Sequence, residues 1–223
     1  MQFRAQRSQP GWRCEFVAYW REVLFWLLLL PAFGALGSSG PRRQVAGLIE
    51  TGAFLLVAIS TQGRLKGLGL EFANWGRVGA RAAVFCGLAG AAAGEVIVGV
   101  AALSDQPLGV ESGWNRVVLA VLLGPVLEEV IFRGYLLTAA LILAGRLGPS
   151  RSTSVSIIGI AALFSTAHLA TPGVTALQLS CIGFTGCLYG YIRVRFRSTA
   201  AAALAHGMYN LALYASFWLG ISR

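Results

Sequence analysis

The stretch RVVLAVLLGPVLEEVIFRGYLLTAALILA, running from Arg116 to Ala144, sets two carboxylates and a guanidinium inside an otherwise apolar run. A run of that length exceeds the roughly 20 residues that a helix needs to cross about 30 Å of hydrocarbon. Comparable runs recur on either side of it, at 16–37, 44–62, 79–103, 153–170, 174–193 and 199–220. The chain of 223 residues is 56% hydrophobic and only 12% charged, with a mean hydropathy of +0.67. A soluble domain of this size requires far more polar surface. The expected fold is therefore all-α, a polytopic bundle of about seven transmembrane helices.

The connections are short and rich in Gly, Pro and Ser, as at Gly37–Pro41, Ser104–Gly113 and Thr171–Gly173. They leave no room for a soluble second domain, so residues 1–223 are expected to form one integral membrane domain. Arg21 and Glu22 interrupt the first run, and an interfacial helix with a snorkelling Arg21 is the alternative there. The basic N-terminus leads into this run without a small-residue cleavage site followed by a soluble domain, so the segment is expected to be a retained span.

A net charge of +9 raises the question of nucleic acid. The basic residues, however, are scattered between apolar runs and form no stripe along an amphipathic helix, which argues against such a partner. They alternate by loop instead. One set holds Arg4, Arg7, Arg13, Arg64, Lys66, Arg77, Arg146, Arg151, Arg193, Arg195 and Arg197; the other holds Arg42, Arg43, Arg116 and Arg223. Translocation leaves basic residues in the cytoplasm. The expectation is a multi-pass protein of the cell (inner) membrane, its N-terminus cytoplasmic and its C-terminus outside. Cys14, Cys86, Cys181 and Cys187 include no CxxC pair, so neither a disulfide framework nor a zinc ribbon is indicated.

Charged groups at membrane depth cost several kcal/mol unless they are paired or face a cavity. Glu129 and Arg133 stand at i and i+4 and can pair along one helix face, whereas Glu128 points about 100° away and is left without a local partner. A desolvated carboxylate of that kind suits general-base work once hydrogen bonds support its charged form. The competing reading is a charge cluster that only holds the bundle together.

The chain has two histidines, each in an apolar run. His168 ends Phe164-Ser165-Thr166-Ala167-His168, and His206 opens His206-Gly207-Met208-Tyr209-Asn210, with Asn210 on its own helix face. A lone histidine on an apolar face is ordinarily a satisfied core residue. Three helices that each carry polar groups into the membrane are buried at least cost around one shared hydrated cavity, so together they read as a site.

These residues resemble the CPBP family, which comprises type II CAAX prenyl proteases and bacterial relatives linked to bacteriocin processing and immunity. Its signatures EExxxR, FxxxH and HxxxN occur in order as Glu128-Glu129 with Arg133, Phe164 with His168, and His206 with Asn210. The resemblance covers roughly 116–215 and implies an intramembrane endopeptidase. It implies that Glu128 deprotonates the attacking water with help from His168, and that His206 and Asn210 stabilise the tetrahedral oxyanion. Glu129 and Arg133 would then orient Glu128, with Phe164 packed beside the site.

No cofactor or metal is called for by this scheme. A zinc-dependent membrane protease is the alternative among enzymes, since a carboxylate and two histidines can ligate zinc, although no HExxH is present. A non-proteolytic transporter or immunity-type protein is the alternative outside them. Glu50 and Glu95 are expected to pair with basic residues near helix ends. High Arg, Ala and Gly use with few lysines points to a GC-rich bacterial genome, where prenylated CAAX proteins are not expected. The implied partner is then a bacterial peptide, or a protein with a C-terminal membrane anchor, met in the lipid bilayer.

Overall fold

A computed structural model of the protein describes residues 75–221, apart from 77, 108–109, 111–112 and 172. The chain divides into two compact units, Met1–Phe72 and Ala73–Arg223, and the description concerns the second. The expected spans at 16–37 and 44–62, together with Glu50 and Cys14, lie outside the described residues.

The described part is all helix, as its apolar runs and short Gly/Pro connections require. Helix α1 is Ala80–Leu103. Helix α2, residues 114–143, is continuous but not uniform. It opens as α-helix over Trp114–Val118, widens to a π-turn over Leu119–Leu123, returns to α-helix over Gly124–Glu129, widens again over Val130–Leu136, and finishes over Leu137–Leu143. Helix α3 is Pro149–Ala167, with proline in the first turn where its missing N–H is no loss, and it tightens into the 3-10 turn His168–Ala170. Helix α4, Ala176–Phe196, starts on a capping box in which the Gln178 amide donates to Thr175 Oγ1 at 3.2 Å and the Thr175 amide donates to Gln178 Oε1 at 2.8 Å. Arg197 closes it in the left-handed conformation, φ 52°. Ser198 then caps α5, Thr199–Trp218, by accepting from the Ala201 amide.

These five helices fall on the expected segments at 79–103, 116–144, 153–170, 174–193 and 199–220. Among the described residues only α1 is long and apolar enough to cross a membrane by length and composition. In α2 to α5, charged, imidazole or amide side chains interrupt the apolar run: Glu128, Glu129 and Arg133 in α2, Arg151 in α3, Arg193 and Arg195 in α4, and His206 and Asn210 in α5.

Helix α5 is the central element, packed on α1 along one side and on α2 along the other, while α3 pairs with α4. The α1–α5 contact is close because it is made of small residues. A Cβ on Gly90 would lie 1.9 Å from the Ala205 carbonyl oxygen, and one on Gly94 would lie 2.7 Å from the Ala212 Cβ. Glycine and alanine at these positions let the backbones meet and gain dispersion contact along their length. Their core is Cys86, Tyr189, Ile192, Ala201, Ala202, Ala205 and Tyr209. Outside this core the usual distribution is inverted. Glu129 and Arg133 are wholly buried, whereas Val84, Leu88 and Val96 of α1 and Ile158 of α3 are exposed. Cys86, Cys181 and Cys187 are free thiols, and Glu95 lies exposed on α1.

Candidate active site

The site is assembled where α5 crosses the middle of α2. The i, i+4 spacing brings Arg133 Nη1 to 2.8 Å from Glu129 Oε1, with both side chains fully buried. The rest of the guanidinium is enclosed by other helices. Its Nη2 donates to the Gly186 carbonyl of α4 at 3.1 Å, and its Cζ lies 4.2 Å from the Phe164 ring centroid and 5.3 Å from that of Tyr189. Gly186 is what admits it, since a Cβ there would come within 3.1 Å of Arg133 Nη2. Planar, weakly hydrated and flanked by aromatic faces, this cation is solvated by the protein in place of water.

The same Glu129 oxygen receives His206, whose Nδ1 lies 3.0 Å from Oε1. A carboxylate paired with arginine only accepts, so Nδ1 carries the proton and donates. Nε2 of His206 consequently points toward Glu128, at 3.9 Å from Oε2 and beyond hydrogen-bonding distance. The Tyr189 ring lies stacked on the His206 ring, with centroids 4.7 Å apart and planes inclined by 18°, and fixes the imidazole's orientation.

The two glutamates thus differ sharply. Glu129 has no exposed side-chain surface and holds both a cation and an imidazole, whereas the Glu128 side chain retains 23% of its surface and has no hydrogen-bond partner among the described residues. The helical offset that separates them on α2 accounts for this difference.

Phe164 joins the two histidines. Its ring stands edge-on to His168 at 4.8 Å and to His206 at 5.9 Å. His168 Nδ1 lies 2.8 Å from the Phe164 carbonyl oxygen. That oxygen can only accept, so Nδ1 holds the proton and the neutral ring keeps its lone pair on Nε2.

Asn210 is placed otherwise than expected for an unengaged donor. Its Nδ2 donates to the Ala120 carbonyl of α2 at 2.6 Å, one turn along α5 from the His206 contact. Among the described residues, no group of three or more His, Cys, Asp and Glu side chains is set to hold a metal ion.

Two contributors were missed by sequence reasoning. Tyr189 is fully buried between Arg133 and His206, yet both of these partners lie on other helices, so no spacing within its own helix reports them. Gly186 leaves no sequence signal beyond being a glycine in an apolar run.

The family model described as "Type II CAAX prenyl endopeptidase Rce1-like" matches residues 111–212, a span that contains every one of these residues. No curated protein matches the chain, and no solved structure does.

Proposed function

We propose, from the match of residues 111–212 to the Rce1-like type II CAAX prenyl endopeptidase family model, that the protein is an intramembrane glutamic endopeptidase in which Glu128 activates water. One observation carries the choice of glutamate. Glu128 keeps an accessible carboxylate 3.9 Å from the His206 imidazole, while its neighbour Glu129 is buried and already engaged by Arg133 and His206.

In the reaction so read, the Glu128 carboxylate takes a proton from water as the oxygen attacks the scissile carbonyl carbon. His168 Nε2 accepts from the same water and orients it. The carbonyl π-electrons move onto oxygen. Collapse of the tetrahedral species then breaks the C–N bond, and Glu128 returns its proton to the leaving amine. His206 faces the developing oxyanion through Nε2. When the ring holds both its protons it donates from Nδ1 to Glu129 and from Nε2 to the oxyanion. Family resemblance gives Asn210 a share in that task. Because one of its two amide N–H groups already donates to a backbone carbonyl, we assign the oxyanion chiefly to His206 and give Asn210 a further role.

The site is read as a hydrated cavity in a seven-span bundle. The inverted surface supports this, with apolar side chains outward on α1 and α3 and charges inward on α2. So does the aromatic pair Trp114 and Trp218, both exposed, with ring centroids 5.4 Å apart at one end of α2 and α5, where an interfacial belt would sit. In this topology that end is the outer one. A reporter fused at Arg223 is expected to register outside the cell membrane and one in the 194–198 turn to register in the cytoplasm. A cytoplasmic signal from Arg223 would mean that the span count is wrong by one.

The substrate is read as a bacterial peptide or a protein with a C-terminal membrane anchor. The activity is tested by purifying the full chain in detergent and measuring cleavage of a quenched fluorogenic peptide. Cleavage is expected, and it is expected to persist in phenanthroline. Activity lost on chelation and regained with added zinc would favour a zinc protease, and absence of cleavage from well-folded protein would favour a non-proteolytic membrane protein.

A further inference from the structure

The contact between Asn210 and Ala120 has a cause in the sequence of α2. Over Leu119–Leu123 the helix runs in π-register, and the Gly124 amide donates to the Leu119 carbonyl five residues back. The next carbonyl in that register, Ala120, would be served by the amide of residue 125. Residue 125 is proline and has no N–H. The Ala120 carbonyl is thereby deprived of its backbone donor at a partly buried helix–helix contact, where an unsatisfied carbonyl is destabilising. Asn210 Nδ2 occupies that vacancy at 2.6 Å.

The surrounding packing is shaped for this contact. Gly207, between His206 and Asn210 on α5, brings the helix so near the widened turn that a Cβ would lie 2.6 Å from the Val121 carbonyl oxygen. Gly124, one turn after Ala120, lets the widened turn close on itself, since a Cβ there would lie 2.9 Å from the Leu119 carbonyl oxygen, and the Glu128 Oε1 lies beside it at 3.8 Å. Along α5, then, His206 meets the glutamates and Asn210 meets the turn that leads into them. π-turns within α-helices concentrate at functional sites because they redirect the residues that follow.

We propose that Asn210 is a positioning residue whose amide replaces the N–H that Pro125 lacks, tying α5 to the π-turn of α2 and so fixing the placement of Glu128 relative to His206. The kinetic part of this proposal rests on the reading of Glu128 as the base. The tie itself does not, which keeps the two separable by experiment.

Pro125 provides the test. In Pro125→Ala, residue 125 gains an amide able to serve Ala120, so Asn210 becomes dispensable. Four full-length proteins are compared in detergent: wild type, Pro125→Ala, Asn210→Ala and the double variant, with Asn210→Leu as a second substitution that leaves less of a cavity. Melting temperature and the kcat and KM for peptide cleavage well below melting are the readouts. Asn210→Ala is expected to melt about 2–10 °C lower and to lose about 10- to 100-fold in kcat with little change in KM, as displacement of a reacting group does. Pro125→Ala is expected to resemble the wild type, and the double variant to regain most of both losses. Equal losses from Asn210→Ala in both backgrounds would overturn the proposal, because an oxyanion donor cannot be replaced by a backbone amide on α2. Recovery of melting temperature alone, with kcat unaffected by Asn210→Ala throughout, would overturn the positioning role and leave a purely structural bond. If the wild type cleaves no peptide, the melting comparison still decides whether the tie exists.

Discussion

Glu128→Gln is expected to abolish peptide cleavage while the protein folds and melts like the wild type. Glutamine has the same shape and can still accept hydrogen bonds, but it cannot take the proton of water. Removal of a general base costs about 10²–10⁴-fold, and the neighbouring Glu129 is poorly placed to substitute, because it is wholly buried and its Oε1 is held by Arg133 at 2.8 Å and by His206 at 3.0 Å. Stability should be spared since the Glu128 side chain is 23% exposed and makes no hydrogen bond within reach of loss. The measurement is kcat/KM on a quenched peptide alongside a melting curve in the same detergent. Normal cleavage by Glu128→Gln, with Glu129→Gln inactive but well folded, would mean that the two carboxylates have exchanged roles. Full activity in Glu128→Gln, Glu129→Gln and His168→Ala alike would sink the glutamic protease reading.

How much of this was legible in the sequence differs from residue to residue. The Glu129–Arg133 pair was legible because i, i+4 spacing on a helix is a local fact, and the structure has it at 2.8 Å. The all-helical fold was legible from run length for the same reason. The His206–Glu129 bond, 77 positions apart in the chain, was legible only as an expectation that buried polar groups converge. The π-turns were not legible, because over five residues an apolar run such as Leu119–Leu123 reads alike in π- and α-register. That hides the partner of Asn210. In α-register Pro125 would have orphaned the carbonyl of Val121, four residues back; the wider turn moves the vacancy to Ala120. Tyr189 escaped notice because its role lies in stacking on a residue of the next helix, and no spacing within α4 encodes that.

Arg133→Ala is expected to fail differently from Glu128→Gln, by loss of folded protein. The guanidinium is fully buried, holds Glu129 and Gly186, and faces Phe164 and Tyr189. Its removal strands a buried carboxylate, which typically costs about 3–5 kcal/mol, a large part of the stability of an ordinary domain. Arg133→Lys is expected to recover little, since an ammonium lacks the planar fork that reaches Glu129 and Gly186 together and is more strongly hydrated. Removing the charge on both sides is a different matter. Glu129→Gln with Arg133→Met leaves no unpaired ion, and replacement of a buried pair by neutral groups is often close to neutral. The double variant should therefore recover much of the yield and melting temperature that Arg133→Ala loses, as judged by size exclusion and thermal unfolding in detergent. It should remain a poor enzyme, because His206 would then lose its anionic partner and the orientation of its Nε2 toward Glu128. If Arg133→Ala instead folds and melts normally yet cleaves nothing, the guanidinium is part of the chemistry and not a counter-ion that supports it.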